Sequence, residues 1–427
     1  MRLDIDGRNC ELESGRSILD AVKKEGLDSI MLSDRPLAAQ IGGEIFNLKF
    51  TPRKDTNIHL LRYGEDMGRR VYERTLQFLF ILAMRKEFPR ARVCVRYSLG
   101  PGLFITVEGM EEPFNEEAAL KVETEMRRLV RLKLPLERRR ISIKEALSFY
   151  EQDGQADKAK LLKWRRFSYF DVYQIDGYMD YFYGEMAPDT SYADVFRVKY
   201  VHDGAVVLLM PRNDAPDVPS DYVDLPKLHA VFHQSDEWGK LMECATVNDL
   251  NTHIQNGTIR ELVRINEALH DRGYADIADK IVQKGAKAVL VAGPSSSGKT
   301  TSAHRISTQL RLQGCHPVML SLDDYYIDRD KIERDENGEI DLENINTLDI
   351  QRFGSDLAAL IRGEKVEVPR FDFTNGKRAP EGRILQLHDD EPVIIEGIHG
   401  LNPMLLSPEV DESKIFRVYV SALTTLN

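Results

Sequence analysis

The sequence predicts a multidomain chain of α/β and α+β class that ends in a three-layer α/β core with a parallel sheet. Three observations lead there. At 427 residues the chain exceeds what one ordinary hydrophobic core holds. Its first 62 residues set short strand patterns and Gly-marked turns around one short helix, the pattern of a β-grasp unit. Farther on, the apolar run Ala288–Ala292 meets Gly293-Pro294-Ser295-Ser296-Ser297-Gly298-Lys299-Thr300 and then a helical pattern. Strand, Gly-rich turn and helix in that order make a phosphate-binding loop.

In the first unit, Arg2–Asp6 and Cys10–Glu13 are expected to pair around Gly7. Ser17-Ile18-Leu19-Asp20 opens a helix with a capping pattern, and Gly26 closes it. Leu37–Ile41 and Glu44–Leu48 flank Gly42-Gly43 as a second hairpin, and Asn57–Leu61 adds a strand.

A second unit covers 63–247. Val71–Met84 is a strongly apolar helix stopped by Pro89. Val93, Val95 and Tyr97 alternate as a strand, Gly100-Pro101-Gly102 turns, and Leu103–Val107 returns. Val122, Met126, Leu129, Val130 and Lys133 follow helical spacing up to Pro135. Ser142-x-x-Glu145 caps another helix, which ends near Gly154. The aromatic stretch Trp164–Tyr183 is expected to pack in a core, Ala205–Met210 to be a strand, and 211–226 to be loop.

Residues 248–285 read as a helical connection that Gly285 ends. The last unit, 286–427, has strand patterns at Ala288–Ala292, Pro317–Leu322, Pro392–Glu396 and Ile415–Ser421 with helices between them, hence a layered parallel sheet.

Composition excludes several classes. A net charge of −11 argues against bulk electrostatic binding to nucleic acid or membrane. The N-terminus lacks an apolar signal core, and no apolar run approaches the ~20 residues of a membrane span. Cys10, Cys94, Cys244 and Cys315 are scattered without a CxxC pair, which fits a reduced cytoplasm.

The chemistry centres on the loop. Gly293, Pro294, Ser295, Ser296, Ser297, Gly298, Lys299, Thr300 and Thr301 are the ATP-binding candidates, the loop's backbone N–H groups and the helix N-terminus cradling the phosphates. Lys299 is expected to reach the β/γ-phosphates and Thr300 to help hold Mg²⁺. Asp323, in Ser321-Leu322-Asp323-Asp324-Tyr325-Tyr326, stands at a strand end, where ligands bind in open α/β sheets. A carboxylate there suits acceptance of a hydroxyl proton, the need of phosphoryl transfer to an alcohol, although a strand-end Asp also caps turns. Glu396 ends the buried run Val393-Ile394-Ile395 and is placed for the metal side, and Gly397 is expected to let the backbone pass close to the ligand.

Together these pieces, over about 286–421, resemble the uridine kinase and phosphoribulokinase family. Ser321–Tyr326 resembles its catalytic Asp motif, Leu342-Glu343 through Asp349 its ribose-binding stretch, and Val368 through Arg378 its base-binding hairpin. The resemblance implies ATP, Mg²⁺ and a nucleoside acceptor, with Tyr326, Glu343, Phe371 and Arg378 on the substrate side. Glu343 stands where uridine kinases carry an Asp, and Phe371 and Gly376 where they carry a Tyr and a His. Loss of that hydrogen-bonding pair leaves the base open. Related kinases continue into an arginine-bearing helical lid; no Arg follows Arg417 here, so the reading expects a core without its lid and weak turnover.

The front half resembles a different family. Residues 1–62 are similar to the TGS domain of threonyl-tRNA synthetases, and Phe88-Pro89-x-Ala91-x-Val93, Tyr97-Ser98-x-Gly100-x-Gly102 and Pro188-x-Thr190 resemble their adjoining editing domain. That family places two His on a helix and a Cys and a His on a later loop. The matching positions here are Arg74, Phe78, Phe182 and Met186, so neither zinc binding nor hydrolysis is expected. The Arg127-Arg128, Arg131 and Arg138-Arg139-Arg140 clusters are candidates for RNA phosphates, set against the commoner reading as a solvated helix face. The leading function is an ATP- and Mg²⁺-dependent nucleoside kinase. The alternatives are a nucleotide-dependent regulatory protein linked to tRNA or the ribosome, and a kinase of another small alcohol such as a sugar phosphate.

Overall fold

The computed structural model describes residues 1–426 apart from 203, 335–337, 339, 390 and 423–425. The chain divides into two compact units, Met1–Gln234 with Thr246–Asn248, and Ser235–Ala245 with Asp249–Leu426. The expected domain end at Asn427 lies outside the described residues.

The first unit opens with β1 (Arg2–Ile5), β2 (Arg8–Glu11), α1 (Ile18–Lys24), β3 (Ala38–Ile41), β4 (Glu44–Phe46) and β5 (Thr56–Leu61). The strands form one sheet in the order β2-β1-β5-β3-β4, with β1 parallel to β5. The hairpin starts its second strand at Arg8, two residues before the expected Cys10. The Ser17 hydroxyl accepts from the Asp20 amide, and the Asp20 carboxylate accepts from the Ser17 amide, a complete capping box.

Helix α2 (Asp66–Glu87) is apolar on several faces because it is buried on several faces: Val71, Leu76, Phe78, Leu79, Phe80, Ala83 and Met84 are all inaccessible to solvent. It is followed by β6 (Arg92–Leu99), β7 (Gly102–Glu108), α3 (Glu116–Leu132), β8 (Glu137–Ser142), α4 (Ile143–Gln152), α5 (Ala156–Leu162), β9 (Tyr169–Ile175) and β10 (Tyr178–Asp180). Next come β11 (Arg197–His202), β12 (Ala205–Leu209), β13 (Pro211–Arg212), β14 (Ala215–Pro219) and α6 (Pro226–Leu241). Strand β12 lies between β11 and β7, so its run Ala-Val-Val-Leu-Leu is wholly buried.

Several expectations for this stretch are corrected. Arg138-Arg139-Arg140 lies on strand β8, not on a helix face. The aromatic segment 164–183 contains two strands that were not expected, β9 and β10, and packs Phe170 and Tyr173 into cores as expected. Residues 211–219, expected as loop, form the small β13–β14 hairpin. Ser142 caps α4 by accepting from the Glu145 amide, which is half of the anticipated box.

Helix α7 (Val247–Asn256) follows, and the second unit continues with α8 (Ile259–Lys284), β15 (Ala288–Ala292), α9 (Lys299–Leu312), β16 (Val318–Ser321), α10 (Ile350–Ile361), β17 (Val366–Val368), β18 (Phe371–Asp372), β19 (Lys377–Arg378), β20 (Arg383–Leu385), β21 (Val393–Glu396) and β22 (Ile415–Tyr419). Gly285 ends α8 in the left-handed region, as expected. The main sheet has the order β16-β21-β15-β22 and every pairing in it is parallel. Its alternating side chains bury both faces. Val289 and Val291 pack with Ile281 of α8 and with Ile306 and Leu310 of α9. Ala288 and Leu290 pack with Phe353 and Leu357 of α10 on the other side. Three layers result.

Candidate functional site

The site forms at the C-terminal ends of β15, β21 and β16, which register Val291, Glu396 and Ser321 side by side. Between β15 and α9 the chain turns through 293–298. Gly293 must be glycine: a Cβ there would sit 2.0 Å from the Val420 carbonyl oxygen. Ser296 and Gly298 have φ of 60° and 92°, so the loop coils through left-handed conformations before α9 begins. Such a coil turns successive amides inward, the geometry that cradles an anion.

Lys299 folds its amine back to donate to the Pro294 carbonyl at 2.8 Å. Thr300 donates its hydroxyl to Glu396 Oε2 at 3.1 Å, and Ser321 donates to Glu396 Oε1 at 2.8 Å. Three hard oxygen groups from three elements thus meet at one point, a donor set suited to Mg²⁺. Ser297 Oγ, within the loop, is shut off from solvent with no hydrogen-bond partner among the described residues. An orphaned hydroxyl in a coil of inward amides fits a bound phosphate.

Asp323 is the second residue of the 3₁₀ turn Leu322–Tyr325, its amide donating to Ser321 Oγ at 3.3 Å. Its carboxyl borders open space, yet the surrounding protein desolvates it enough to raise its pKa; the charge of Glu396 adds to the rise and Lys299 opposes it. A cavity of about 540 Å³ opens beside Thr300 and Glu396, walled by Asp324, His304, Arg370 and Arg383. Asp324 is partly engaged, accepting from the Phe371 amide at 3.4 Å.

The substrate-side candidates occupy one rim. The rings of Tyr326 and Phe371 lie 5.7 Å apart, and Phe373 closes the group at 5.0 Å from Phe371. Burial raises the Tyr326 phenol, with smaller contributions from Asp323 and Glu343. Glu343 accepts from the Ser295 hydroxyl at 3.4 Å and so leans over the loop. Arg378 has partners of its own within the fold. Its guanidinium donates to the Tyr326 carbonyl at 3.1 Å and to Asp349 Oδ2 at 2.9 Å, so it ties the hairpin to its neighbours. At Gly397 an added Cβ would strike Leu322 at 2.6 Å, so the glycine is needed for packing against that residue. Gly376 leaves room that the Arg329 side chain fills.

Sequence reasoning missed Ser321 as a partner of Glu396, and His304 and Arg383 in the cavity wall. His304 had a readable signal, since it lies one helical turn after Thr300 and shares its face. Arg383 had none.

In the first unit, Phe78 and Phe182 pack ring to ring at 5.1 Å, and Met186 is fully buried. Arg74 donates to the Glu185 carbonyl at 3.0 Å and lies flat against Gly184, where a Cβ would meet its Cζ at 3.1 Å. The RNA candidates among the arginines are mostly engaged: Arg127 with Glu123, Arg128 with Glu125, Arg138 and Arg140 with Asp171. Among the described residues no helix is long and apolar enough to cross a membrane.

Comparison with known proteins agrees with this division. Residues 288–426 match the model of the phosphoribulokinase/uridine kinase family. The N-terminal part matches threonyl-tRNA synthetases in their editing-domain region. The chain is 24% identical over 194 residues to the threonine–tRNA ligase of Clostridium kluyveri, covering 45% of this chain and 30% of that one. It is 27% identical over 160 residues to the ligase of Acetivibrio thermocellus, covering 37% and 24%. The chain therefore spans about 30% or less of the length of these curated relatives. A solved structure of a "Possible Uridine Kinase from Bacillus stearothermophilus" is 24% identical, covers 35% of this chain and 79% of that one, and has a TM-score of 0.28.

Proposed function

We propose that the chain is an ATP- and Mg²⁺-dependent kinase that phosphorylates the 5′-hydroxyl of a nucleoside. The observation that carries this reading is the convergence of Thr300, Ser321 and Glu396 at the mouth of the phosphate loop, with Asp323 in the field of Glu396 and Lys299. Mg²⁺ held by Thr300 and Glu396 would offset charge on the transferring phosphoryl group. Lys299 and the loop amides hold the triphosphate. Asp323 orients the acceptor hydroxyl and takes its proton. Asp324 lines the cavity but is partly engaged by the Phe371 amide, whereas Asp323 is exposed, so the role goes to Asp323.

The aromatic corner of Tyr326, Phe371 and Phe373 supports a flat acceptor, and Glu343 supports a polyhydroxy one. A sugar phosphate is the second reading, favoured by Arg370 and Arg383 in the cavity wall. We read 1–62 as a TGS-like β-grasp domain, supported by its parallel β1–β5 pair. Residues 63–247 read as an editing-like domain that has lost its ligands, 248–285 as a helical connection and 286–427 as the kinase core. The free cysteines fit a cytoplasmic protein. Metal analysis tests the ligand loss, since stoichiometric zinc that disappears on changing the region of Arg74, Phe78, Phe182 and Met186 would contradict it.

ADP release with Mg-ATP against a panel of nucleosides and sugar phosphates tests the central reading, with Lys299→Ala as control. Lys299-dependent release with a nucleoside supports it. ATP binding with no acceptor-dependent release overturns it in favour of a nucleotide-dependent switch.

A further inference from the structure

The first turns of helix α8 have two unlike sides. Leu262 is buried, and one turn on the Asn266 amide donates back to its carbonyl at 3.2 Å. About 160° around the helix from Leu262, Arg260, Arg264, Glu267 and Asp271 follow one another at i, i+4, i+7 and i+11, which keeps them on one stripe. Arg260, Arg264 and Glu267 are exposed and Asp271 is half-exposed. Ala268 flanks the stripe on one side, and Val263, 48% exposed, flanks it on the other.

Two features separate this stripe from an ordinary solvated helix face. Its charges are sorted, two cations and then two anions. Arg260 and Arg264 repel each other at i,i+4, and so do Glu267 and Asp271. Arg260 also lies in the first turn, where the helix dipole disfavours a cation. A helix arranged for its own stability would carry the reverse order, acids first and cations last. The charges are also unspent. Among the described residues no ion pair engages Arg260, Arg264 or Glu267, and Asp271 meets Arg305 of α9 at 3.3 Å through one of its two oxygens.

Two cations followed by two anions are their own complement when reversed. We propose that this stripe of α8 binds the same stripe of a second copy of the chain, antiparallel about a twofold axis level with Ile265 and Asn266. Arg264 then faces Glu267 of the second copy, Arg260 faces Asp271, and symmetry makes each pair twice. A parallel pairing would set like charge on like charge. The stripe runs about 17 Å along the helix, short for a permanent interface, so the dimer is reversible and ionic in character. The surface is the outer side of α8 and does not rest on the kinase reading.

Sedimentation velocity of the full chain tests this. At about 100 μM protein and about 50 mM salt a dimer forms, and at about 500 mM salt its dissociation constant rises about tenfold or more. Arg264→Glu and Glu267→Arg each leave a monomer, because each sets like charges across the seam. Mixing these two variants restores a dimer, and so does the double variant Arg264→Glu/Glu267→Arg, because opposite charges face each other again. Recovery on mixing also shows that neither variant is monomeric through misfolding. A monomer under all these conditions, a dimer that Arg264→Glu leaves intact, or two monomeric variants that fail to combine overturns the proposal.

Discussion

Thr300 and Glu396 stand 96 residues apart in sequence and meet through a 3.1 Å hydrogen bond at the head of the parallel sheet. The contact exists because β15 and β21 are adjacent and in register there, so the first turn of α9 faces the last residue of β21. It joins a hydroxyl and a carboxylate that can share a cation.

Glu396→Gln keeps the shape and removes the charge. Metal affinity is expected to fall about tenfold to a hundredfold, read as a rightward shift in the Mg²⁺ dependence of transfer. The same change removes a negative neighbour that helps raise the Asp323 pKa. A raised carboxyl works as a base only above its own pKa, so the acid limb of kcat/KM moves to lower pH in this variant. An unmoved Mg²⁺ curve would contradict the assignment.

Two glycines of the loop separate by mechanism. Gly293→Ala places a Cβ against the Val420 carbonyl and is expected to abolish ATP binding through a displaced loop. Gly298→Ala meets open space and costs only the strain of φ 92°, about 1–2 kcal/mol. ATP titration with thermal unfolding distinguishes them; equal effects would contradict this account.

Much of the second unit was legible because buried parallel strands are written as uninterrupted apolar runs. Ala288–Ala292 is read to the residue for that reason, and Glu396 stands out as the acid that ends such a run. Strand β8 was not legible, because only Ile141 of its six residues is buried and no alternation survives. The fates of Arg378 and Gly397 depend on Asp349 and Leu322, distant in sequence, and no local pattern announces such contacts.

Arg35 anchors the first unit. Its side chain, 10% exposed, pairs with both oxygens of Asp194 at 2.8 and 3.0 Å and also donates to the Ser29 and Ile30 carbonyls. Asp194→Ala leaves that guanidinium without its counter-ion. Because Asp194 is one-third exposed, the loss is set at about 2–3 kcal/mol, below the range for a fully buried pair. Urea unfolding reads it, and a change under ~0.5 kcal/mol would show that water compensates.

His59 bridges Glu65 at 2.6 Å and Asp6 at 2.8 Å, and those two hydrogen bonds raise its pKa. A raised folded-state pKa stabilises fully below the unfolded value of ~6.5 and fades as pH climbs through the folded value. The wild type should therefore melt higher than His59→Gln at pH 5.5, and the gap should shrink by pH 8.5. The ring is half exposed, so the gap stays under about 1 kcal/mol. A gap that widens with pH would contradict the assignment.

The most direct measurement separates binding from transfer in one variant. Asp323→Asn removes the proton acceptor while leaving Thr300, Ser321 and Glu396 in place. With the best nucleoside acceptor, phosphoryl transfer should fall by roughly 10²–10⁴-fold while ATP affinity stays within about twofold of wild type. Transfer at the wild-type rate, or the loss of ATP binding and transfer together, would contradict the claim that Asp323 activates the acceptor.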